Sequence, residues 1–287
     1  MPDHKIELPG ENHSVLLIHG LTGSPFEMKY LARKLNKAGF TVKGPCLEGH
    51  CTTLKNLSKT RWEDWYGSVH ESFIEMKKSS DTVSVVGLCM GALLSLHLAY
   101  ELGSEVAAVS LISTTLFYDG WSLPWFKFLL PIAYYTPLRF IYSYSETEPY
   151  GIKNKPLRER IVNLMMDNSV AYTKTPAASM HELFKLIREV KKELPAITTP
   201  ALILHSREDD LTSIKNPDYV EAKIGSKIVR KIILDDSYHM MTIDNQKDRV
   251  AEETIKFFIE QISPSISIPR QILSTSYPHP STDETHH

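Results

Sequence analysis

The stretch Thr82-Val83-Ser84-Val85-Val86-Gly87-Leu88-Cys89-Met90-Gly91 decides the fold of this chain. Its β-branched start predicts a buried strand over residues 82–86, and the apolar residues that follow the second glycine predict a helix over residues 92–102. Glycines stand two residues before and two residues after Cys89. A sharp strand-to-helix turn crowds both of those positions, so only a small residue fits there. The pattern therefore predicts a nucleophile elbow with Cys89 at its tip.

The same unit of strand and helix recurs on both sides of this stretch. Short apolar runs predict further strands at residues 14–19, 40–43, 106–112, 201–205 and 228–234. Helical spacing predicts helices at residues 26–38, from a capping box at Thr60 and Glu63 onward, and at 180–193, 219–224 and 248–262. Because helices separate the strands, the fold class is α/β, a mainly parallel sheet flanked by helices and joined by right-handed crossovers.

The alternation stops between residues 114 and 178, a segment rich in aromatic side chains. We predict that this segment is an inserted cap, or lid, and that residues 1–113 and 179–262 form one core. Residues 263–287 are rich in Ser, Thr and Pro, which predicts a flexible tail. Two interpretations of the cap's aromatic residues stay open, a packed core and a lipid-facing lid; the residues are Trp121, Trp125, Phe126, Phe128, Tyr134 and Tyr135.

Candidate catalytic residues follow three of the predicted strands. After Cys89 come an acidic loop that contains Asp209 and Asp210, and then His239, each just beyond the end of its own strand. The carboxyl ends of parallel strands meet at one edge of a sheet, where α/β proteins place their sites. The order nucleophile, acid, histidine is the one that an elbow of this kind requires. We therefore predict that His239 takes the thiol proton and that one of the two aspartates orients its imidazole.

A glycine-rich loop, His19-Gly20-Leu21-Thr22-Gly23, directly follows the first predicted strand. In this layout an oxyanion hole combines the N–H of the residue after the nucleophile, Met90, with one from the earlier loop, most simply that of Leu21. The elbow also places Cys89 at the positive end of the next helix, which favours a thiolate and an oxyanion alike. The alternative is that these glycines only shape a turn.

Three other histidines compete for the role of base. His97 falls inside the helix after the elbow, and His50 and His205 lack the ordered strand-end position, so we predict that they are core or solvated histidines. Cys46 and Cys51 flank His50 and suggest a metal pair. No second ligand pair stands at zinc spacing, so we predict no metal site.

The charge and cysteine counts narrow the function class. Lys and Arg total 32 against 34 for Asp and Glu, a formal net charge of −2. Such a balance lacks the basic footprint that neutralises phosphates, so we predict no nucleic-acid partner. Three cysteines, an odd number, argue against a disulfide scaffold and favour a reducing compartment.

The N-terminal residues and the longest apolar stretch bear on where the protein is located in the cell. Residues 1–11 are polar and of mixed charge, without the basic start and apolar run of a secretory signal. The strongest apolar stretch, residues 125–135, contains Lys127 and Pro131 and is far below the ~20 residues that span a bilayer. We predict a cytoplasmic protein, with the cap as a candidate for peripheral membrane contact.

Together these motifs resemble the α/β-hydrolase superfamily, and specifically bacterial monoacylglycerol lipases and related carboxylesterases. The resemblance covers most of residues 14–262 and implies an α/β-hydrolase fold without a cofactor. It rests on short motifs across the chain, namely His19–Pro25, Leu47–His50, the helix start at Trp62 and Trp65, Gly87–Gly91, Lys174–Ser179, Pro200–Ile203, Glu208–Asp209, and Ser237–His239 with Thr242 and Asp244.

The resemblance assigns roles to individual residues and also shows two departures. It implies that Asp209 is the acid, and that Leu21 and Met90 supply the oxyanion N–H groups. The family's nucleophile is Ser where this chain has Cys89, and the family has Gly where this chain has Cys51. In having Cys at the elbow, the chain resembles the polyhydroxyalkanoate synthases and dienelactone hydrolases of the same superfamily.

The leading hypothesis is therefore a hydrolase of small acyl esters, thioesters or lipid-like esters, acting through a Cys89-His239-Asp209 triad and a covalent acyl-enzyme. The alternative within enzymes is acyl transfer from Cys89 to an acceptor other than water. A third hypothesis is a hydrolase fold that only binds a ligand. Retention of the His and Asp positions beside a thiol argues against that third hypothesis.

Overall fold

The computed structural model describes residues 5–122, 136, 139, 142–166 and 170–262. A seven-stranded sheet forms its centre, and a separate two-stranded sheet lies in the segment between residues 114 and 178. Seven strands make up the central sheet: β1 (Ile6–Leu8), β2 (His13–Ile18), β3 (Thr41–Gly44), β4 (Thr82–Leu88), β5 (Val106–Ile112), β8 (Ala201–Ser206) and β9 (Val229–Leu234). The small sheet pairs β6 (Ser143–Ser145) with β7 (Lys174–Pro176).

Helices connect most of these strands. They are α1 (Lys29–Lys37), α2 (Leu54–Leu57), α3 (Trp62–Lys77), α4 (Met90–Leu102), α5 (Lys155–Met166), α6 (Ala177–Glu193), α7 (Lys215–Lys223) and α8 (Lys247–Ile262). A turn of 3-10 helix, Pro25–Met28, precedes α1. Among the described residues, no helix is long and apolar enough to cross a bilayer.

The order of strands explains where a site forms. Across the central sheet the order is β1-β3-β2-β4-β5-β8-β9, and only the β1–β3 pair is antiparallel. The six parallel strands therefore all present their carboxyl ends at one edge. At that edge Gly87 of β4 pairs with Ile18 of β2, and Leu88 pairs with Ile112 of β5. The loops after these strands are consequently neighbours in space.

Both faces of the sheet are covered, as continuous apolar strands require. On one face, α3, α4 and α6 bury side chains such as Trp65, Leu94 and Leu186 against β4 and β5. On the other face, α1 and α8 bury Leu35 and Phe257 against the same strands. The predicted α/β-hydrolase fold, a mainly parallel sheet flanked by helices, is confirmed.

Two local features differ from the expectations. The short antiparallel strand β1 was not predicted, because three residues in a polar stretch carry little periodicity. The capping box of α3 uses Arg61 and Asp64 rather than Thr60 and Glu63: the Arg61 N–H donates to Asp64 Oδ2 at 2.8 Å. The Thr60 hydroxyl instead accepts a hydrogen bond from Trp65 Nε1 at 2.8 Å.

The segment predicted as a cap leaves the sheet after β5 and returns at β8. It contributes β6, α5 and β7, and α6 then packs against α4 of the core. The division at residues 113 and 179 stays a prediction. Residues 263–287, predicted as a tail, lie outside the described residues, as do five of the six aromatic residues singled out in the cap: Trp125, Phe126, Phe128, Tyr134 and Tyr135.

Candidate active site

Cys89 stands at the tip of the turn between β4 and α4, in a backbone conformation that L-residues rarely adopt. Its φ of 58° and ψ of −114° are strained for any residue with a side chain. The glycines on either side make the turn possible. A Cβ on Gly87 would lie 2.1 Å from the Gly91 carbonyl oxygen, and a Cβ on Gly91 would lie 2.2 Å from the Ile18 carbonyl oxygen. The elbow geometry thus requires both glycines.

The Cys89 side chain is buried at the N-terminus of α4 and has one hydroxyl neighbour. Thr115 Oγ1 lies 3.3 Å from Cys89 Sγ and donates to it, while also lying 3.1 Å from the Ser113 carbonyl oxygen. A hydroxyl that donates to sulfur stabilises the thiolate more than the thiol, because hydrogen bonds to charged acceptors are stronger.

His239 and Asp209 form a buried pair at the same edge. His239 Nδ1 lies 2.8 Å from Asp209 Oδ2 and 3.1 Å from Oδ1. The carboxylate also accepts from the Thr212 N–H at 2.8 Å, from the Thr212 hydroxyl at 2.9 Å and from the Leu211 N–H at 2.9 Å. These donors fix the carboxylate, so the imidazole ring is oriented by a rigid partner.

The neighbouring Asp210 has a different set of contacts. Its Oδ1 accepts from the backbone N–H of His239 at 3.3 Å, and its Oδ2 accepts from the backbone N–H of Gly151 at 3.2 Å. Its carboxyl group therefore holds backbone around the site and leaves the imidazole to Asp209. Burial raises the pKa of Asp210, with Asp209 contributing in the same direction.

The charge state of His239 follows from its surroundings. Burial lowers the pKa of His239, but Asp209 and Cys89 raise it by more, so that it ends well above its ordinary value. For Asp209, burial acts to raise the pKa, and the charge of His239 and the hydrogen bonds reverse that effect and lower it. His239 Nε2 is buried and has no hydrogen-bond partner among the described residues, although Cys89 is near enough to raise the pKa of His239. A raised pKa for His239 beside a lowered pKa for Asp209 fits an imidazolium paired with a carboxylate.

The two residues predicted to supply the oxyanion N–H groups are Leu21 and Met90. Met90 is the first residue of α4, directly after Cys89, and both Met90 and Leu21 are buried. His50 Nε2 lies 2.7 Å from the Leu21 carbonyl oxygen and donates to it. Burial lowers the pKa of His50 to about 4, against the opposing effect of its backbone hydrogen bonds, so the ring is neutral.

The histidines predicted not to be bases have other partners. His205 Nε2 lies 3.0 Å from the Thr212 carbonyl oxygen and 3.8 Å from Asp209, farther from that carboxylate than His239. His97 pairs with Glu193 at 2.9 Å on α4 and α6.

Two of the three cysteines are joined, which the cysteine count did not predict. Cys46 and Cys51 form a disulfide across a loop that contains His50. Cys51 also has a φ of 57°, the left-handed conformation for which glycine is suited. The cysteine count argues against a disulfide scaffold, and the structure contains this one cross-link. The disulfide also removes the support that the cysteine count gave to a reducing compartment.

A cavity of about 260 Å³ lies within the inserted segment, and its lining includes none of Cys89, Asp209 and His239. It is lined by apolar side chains of α5 and by polar groups of β6 and its neighbours: Ser145, Glu146, Tyr150, Val162, Met165, Met166, Thr173 and Lys174. Burial raises the pKa of Glu146, and the carboxyl group is close enough to interact with Asp210 and His239. The Met240 N–H donates to the Gly151 carbonyl at 2.8 Å and ties the segment to the loop after β9.

Comparison with known proteins then places the chain in a family. The model of the family described as serine aminopeptidase S33, Hydrolase_4, matches residues 10–246. The chain belongs to this family. Its fold is thus that of an α/β-hydrolase, and the catalytic roles of Cys89, Asp209 and His239 stay predictions.

Individual relatives of this S33-family chain are lipases and esterases. A thermostable monoacylglycerol lipase of Bacillus sp. (strain H-257) is 32% identical over 252 residues, 85% of this chain and 89% of the relative. A carboxylesterase of Bacillus subtilis (strain 168) is 23% identical over 254 residues, 86% of this chain and 93% of the relative.

Solved structures agree with this assignment of the S33-family chain. A structure described with LipS and LipT, two metagenome-derived lipolytic enzymes, has a TM-score of 0.75 and 26% identity, covering 89% of this chain and 97% of that one. A monoacylglycerol lipase of Paleococcus ferrophilus has a TM-score of 0.72 at 17% identity, covering 91% of this chain and 100% of that one, and so supports the fold.

Sequence reasoning missed Thr115, although a signal for it existed. Thr115 follows β5, the immediate neighbour of β4 in the sheet, and like Asp209 it stands just past the end of its strand. It carries no motif of its own, and only the strand order brings it to the sulfur.

Proposed function

We propose that this α/β-hydrolase cleaves small or lipid-like carboxylic esters through a Cys89-His239-Asp209 triad and a covalent acyl-enzyme. The observation that carries the proposal is the buried His239–Asp209 pair at 2.8 Å, beside a cysteine held on a strained elbow. Nucleophile, base and orienting acid are the three groups that acyl transfer of this kind needs.

The first half of the proposed reaction acylates the enzyme. The Cys89 thiolate attacks the ester carbonyl carbon, and the carbonyl π electrons move onto oxygen. The N–H groups of Leu21 and Met90 stabilise that oxyanion. When the tetrahedral intermediate collapses, the carbon–oxygen bond to the alcohol breaks, and the His239 imidazolium gives its Nε2 proton to the leaving alkoxide.

The second half returns the enzyme to its starting state. Neutral His239 takes a proton from water as the water oxygen attacks the thioester carbonyl, and collapse of this intermediate releases the carboxylic acid and the Cys89 thiolate. Asp209 keeps Nδ1 protonated throughout, so that Nε2 faces the reacting atoms in both halves. The net reaction consumes one water and gives one acid and one alcohol.

The substrate class rests on the relatives and on the shape of the site. The chain is similar to a monoacylglycerol lipase and a carboxylesterase of Bacillus. The 260 Å³ cavity of the inserted segment combines apolar Val162 and Met165 with the carboxyl group of Glu146, which is near enough to Asp210 and His239 to interact with their charges. Such a lining suits an ester with an apolar part and a hydroxylated part. Membrane contact through the cap stays a prediction, since most of its aromatic residues lie outside the described part of the chain.

Acyl transfer is a second candidate because the nucleophile is a cysteine. A thioester intermediate on Cys89 partitions differently between water and other nucleophiles than an oxyester does. The departure from the family's serine is the specific observation that favours this candidate. A protein that only binds its ligand is the third outcome that an assay must separate.

The deciding experiment combines mass spectrometry with product analysis. The protein is exposed briefly to short-chain and medium-chain p-nitrophenyl esters and to acyl-CoA, with and without glycerol, and its intact mass is measured. We expect an acyl adduct on Cys89 that is absent from Cys89→Ala, and free acid as the main product. Acylglycerol as the main product would favour transfer. Turnover by Cys89→Ala equal to wild type would exclude Cys89 as the nucleophile.

Cys89→Ser provides a matched variant for the departure from the family. The hydroxyl would take the place of the sulfur at the same elbow, with His239 as its general base. We expect ester hydrolysis to be retained and transfer to be lost. A folded Cys89→Ser protein without activity on an ester and on a thioester would mean that the site is tuned to a thiolate–imidazolium pair.

A further inference from the structure

The carboxyl group of Glu27 is buried inside the glycine-rich loop that follows β2. Glu27 belongs to the 3-10 helix Pro25–Met28 and is 7% exposed. Its Oε1 accepts from the Gly20 N–H at 2.6 Å. A Cβ added to Gly23 would lie 2.3 Å from one carboxyl oxygen and 2.4 Å from the other. The carboxyl group therefore packs against both ends of residues 20–23.

The same loop separates Glu27 from the nucleophile. A Cβ added to Gly20 would lie 3.4 Å from Glu27 Oε1 and 3.6 Å from Cys89 Cβ. One glycine residue thus lies between the acid and the elbow. Any shift of the Glu27 carboxyl group moves the backbone that faces Cys89.

The orientation of the Leu21 N–H follows from its peptide plane. The carbonyl oxygen of Gly20 accepts from His19 Nδ1 at 2.8 Å and from the Gly23 N–H at 3.4 Å. A trans peptide directs its N–H opposite to its C=O, so these bonds also fix the direction of the Leu21 N–H. On one side of the Leu21 N–H, the Gly20 N–H donates to Glu27. On the other side, the Leu21 carbonyl oxygen accepts from His50. The backbone is therefore held on both sides of the Leu21 N–H. Among the described residues, the Leu21 N–H itself has no hydrogen-bond acceptor.

A permanent negative charge at this place would oppose an oxyanion. Burial raises the pKa of Glu27 to about 7, with the Gly20 hydrogen bond and His239 acting in the opposite direction. A large fraction of Glu27 is therefore uncharged at neutral pH. The uncharged carboxyl group still accepts from the Gly20 N–H through its carbonyl oxygen.

From this geometry we propose that Glu27 is a positioning residue for the oxyanion hole, holding the Gly20–Leu21 backbone so that the Leu21 N–H faces the carbonyl oxygen of the substrate. The inference rests on the proposed function, because it assumes an acyl intermediate on Cys89. It assigns a purpose to a buried acid that the triad does not use.

The test compares a probe that uses the oxyanion hole with one that does not. An alkyl trifluoromethyl ketone adds to the Cys89 thiolate and forms a hemithioketal whose oxyanion needs the hole, whereas iodoacetamide alkylates the same thiolate by displacing iodide. The variants are Glu27→Leu, which removes the acceptor, and Glu27→Gln, which keeps a carbonyl oxygen for the Gly20 N–H. Glu193→Leu is the control, since it removes a partly buried acid of α6 that is paired with His97 of α4.

We expect Glu27→Leu to weaken ketone binding by about 10- to 100-fold, because misplacing one donor approaches the effect of losing it. Its alkylation rate should stay within about 3-fold of wild type, and its kcat on an ester should fall with little change in KM. Glu27→Gln should restore ketone affinity to within about 3-fold, and Glu193→Leu should lose melting temperature without losing affinity.

Two other results would overturn the positioning role of Glu27. The first is equal ketone affinity in wild type and Glu27→Leu. The second is a loss of ketone affinity in Glu27→Gln as large as the loss in Glu27→Leu. If Glu27→Leu does not fold, Glu27→Met replaces it in the same comparison, because Met also lacks a strong acceptor for the Gly20 N–H and its flexible chain is of similar length. Equal ketone affinity in wild type and Glu27→Met then overturns the inference. A wild-type protein that is not alkylated at Cys89 and forms no ketone adduct instead refutes the proposed function itself.

Discussion

The two sides of the candidate site are held in place by different kinds of structure. The nucleophile side, made of Cys89, Asp209 and His239, comes from residues just past the ends of β4, β8 and β9. The oxyanion side, made of residues 20–23 with Glu27 and His50, is held by side chains that reach into a loop. The positions of residues on the nucleophile side are fixed directly by rigid strands. The position of the loop on the oxyanion side is fixed only when several buried polar contacts form together.

This difference leads to a general expectation about mutations. A substitution on the nucleophile side removes a chemical group and leaves the backbone where it was. A substitution on the oxyanion side changes backbone position, so it affects stability and activity together. The following experiments test that contrast in order of expected free-energy effect.

The largest effect is expected for Asp209→Asn. The Asn amide cannot accept from His239 Nδ1 at both oxygen positions, so the imidazole takes the wrong tautomer and Nε2 no longer serves as a base. We expect kcat on an ester to fall by about 10⁴-fold, with the melting temperature nearly unchanged. Asp210→Asn is the control, because Asp210 contacts backbone N–H groups instead of the ring. A larger loss in Asp210→Asn than in Asp209→Asn would reverse the assignment of the acid.

The sequence identified the nucleophile side better than the oxyanion side, for physical reasons. Cys89 and His239 stand at strand ends with recognisable neighbours, so local pattern and strand order locate them. The choice between Asp209 and Asp210 required either a family resemblance or the orientation of the imidazole ring. Glu27 looks like an ordinary polar residue at a helix start, since its burial depends on how the preceding loop folds back. The Cys46–Cys51 pairing depends on the path of a loop that no periodicity describes.

The second experiment measures stability against pH and tests the buried acid of the oxyanion side. The pKa of Glu27 is raised from 4.5 to about 7, so the folded state holds this proton when the unfolded state has lost it. Its contribution to stability is therefore largest below pH 4.5 and is lost as the pH rises to about 7. The loss amounts to about 3 kcal/mol if no other group responds.

Denaturant unfolding of wild type and Glu27→Gln at several pH values isolates this group from the other acids. Glutamine does not titrate, so the difference in unfolding free energy between the two proteins should shift in favour of Glu27→Gln between pH 4.5 and 7, and stay constant above that. A difference that is independent of pH would mean that Glu27 has an ordinary pKa in the folded protein.

The third experiment concerns the disulfide beside His50. A cross-link that closes a loop of this size stabilises a protein by about 2 kcal/mol, mainly by restricting the unfolded chain. We expect Cys46→Ser with Cys51→Ser to lose about that much unfolding free energy. Replacing Cys51 with Gly instead should recover about 1 kcal/mol, because residue 51 has a φ of 57°.

Thiol titration provides the control for this comparison. Denatured, unreduced wild type should show one reactive thiol, that of Cys89, and reduced protein should show three. Three thiols before reduction would show that the loop is not cross-linked. In that case the two double variants should differ from wild type only through the backbone of residue 51.

The smallest effect is expected for Thr115, whose hydroxyl lies 3.3 Å from Cys89 Sγ. Thr115→Val keeps the shape of the side chain and removes the donor, so the thiolate loses a hydrogen bond of about 1 to 2 kcal/mol. We expect acylation by an ester to slow by about 5- to 30-fold, and Thr115→Ser to restore most of the rate. The rate of iodoacetamide alkylation of Cys89 should also fall in Thr115→Val, since the sulfur loses a hydrogen-bond donor that stabilises its charged form. Because Thr115 follows a strand end, its substitution should leave the unfolding free energy nearly unchanged, as expected for the nucleophile side.

The opposite outcome is a Thr115→Val protein that loses several kcal/mol of stability but is alkylated at the wild-type rate. That result would show that the hydroxyl donates to the Ser113 carbonyl oxygen instead of to Cys89 Sγ. The contrast between the two sides would then not hold at this position.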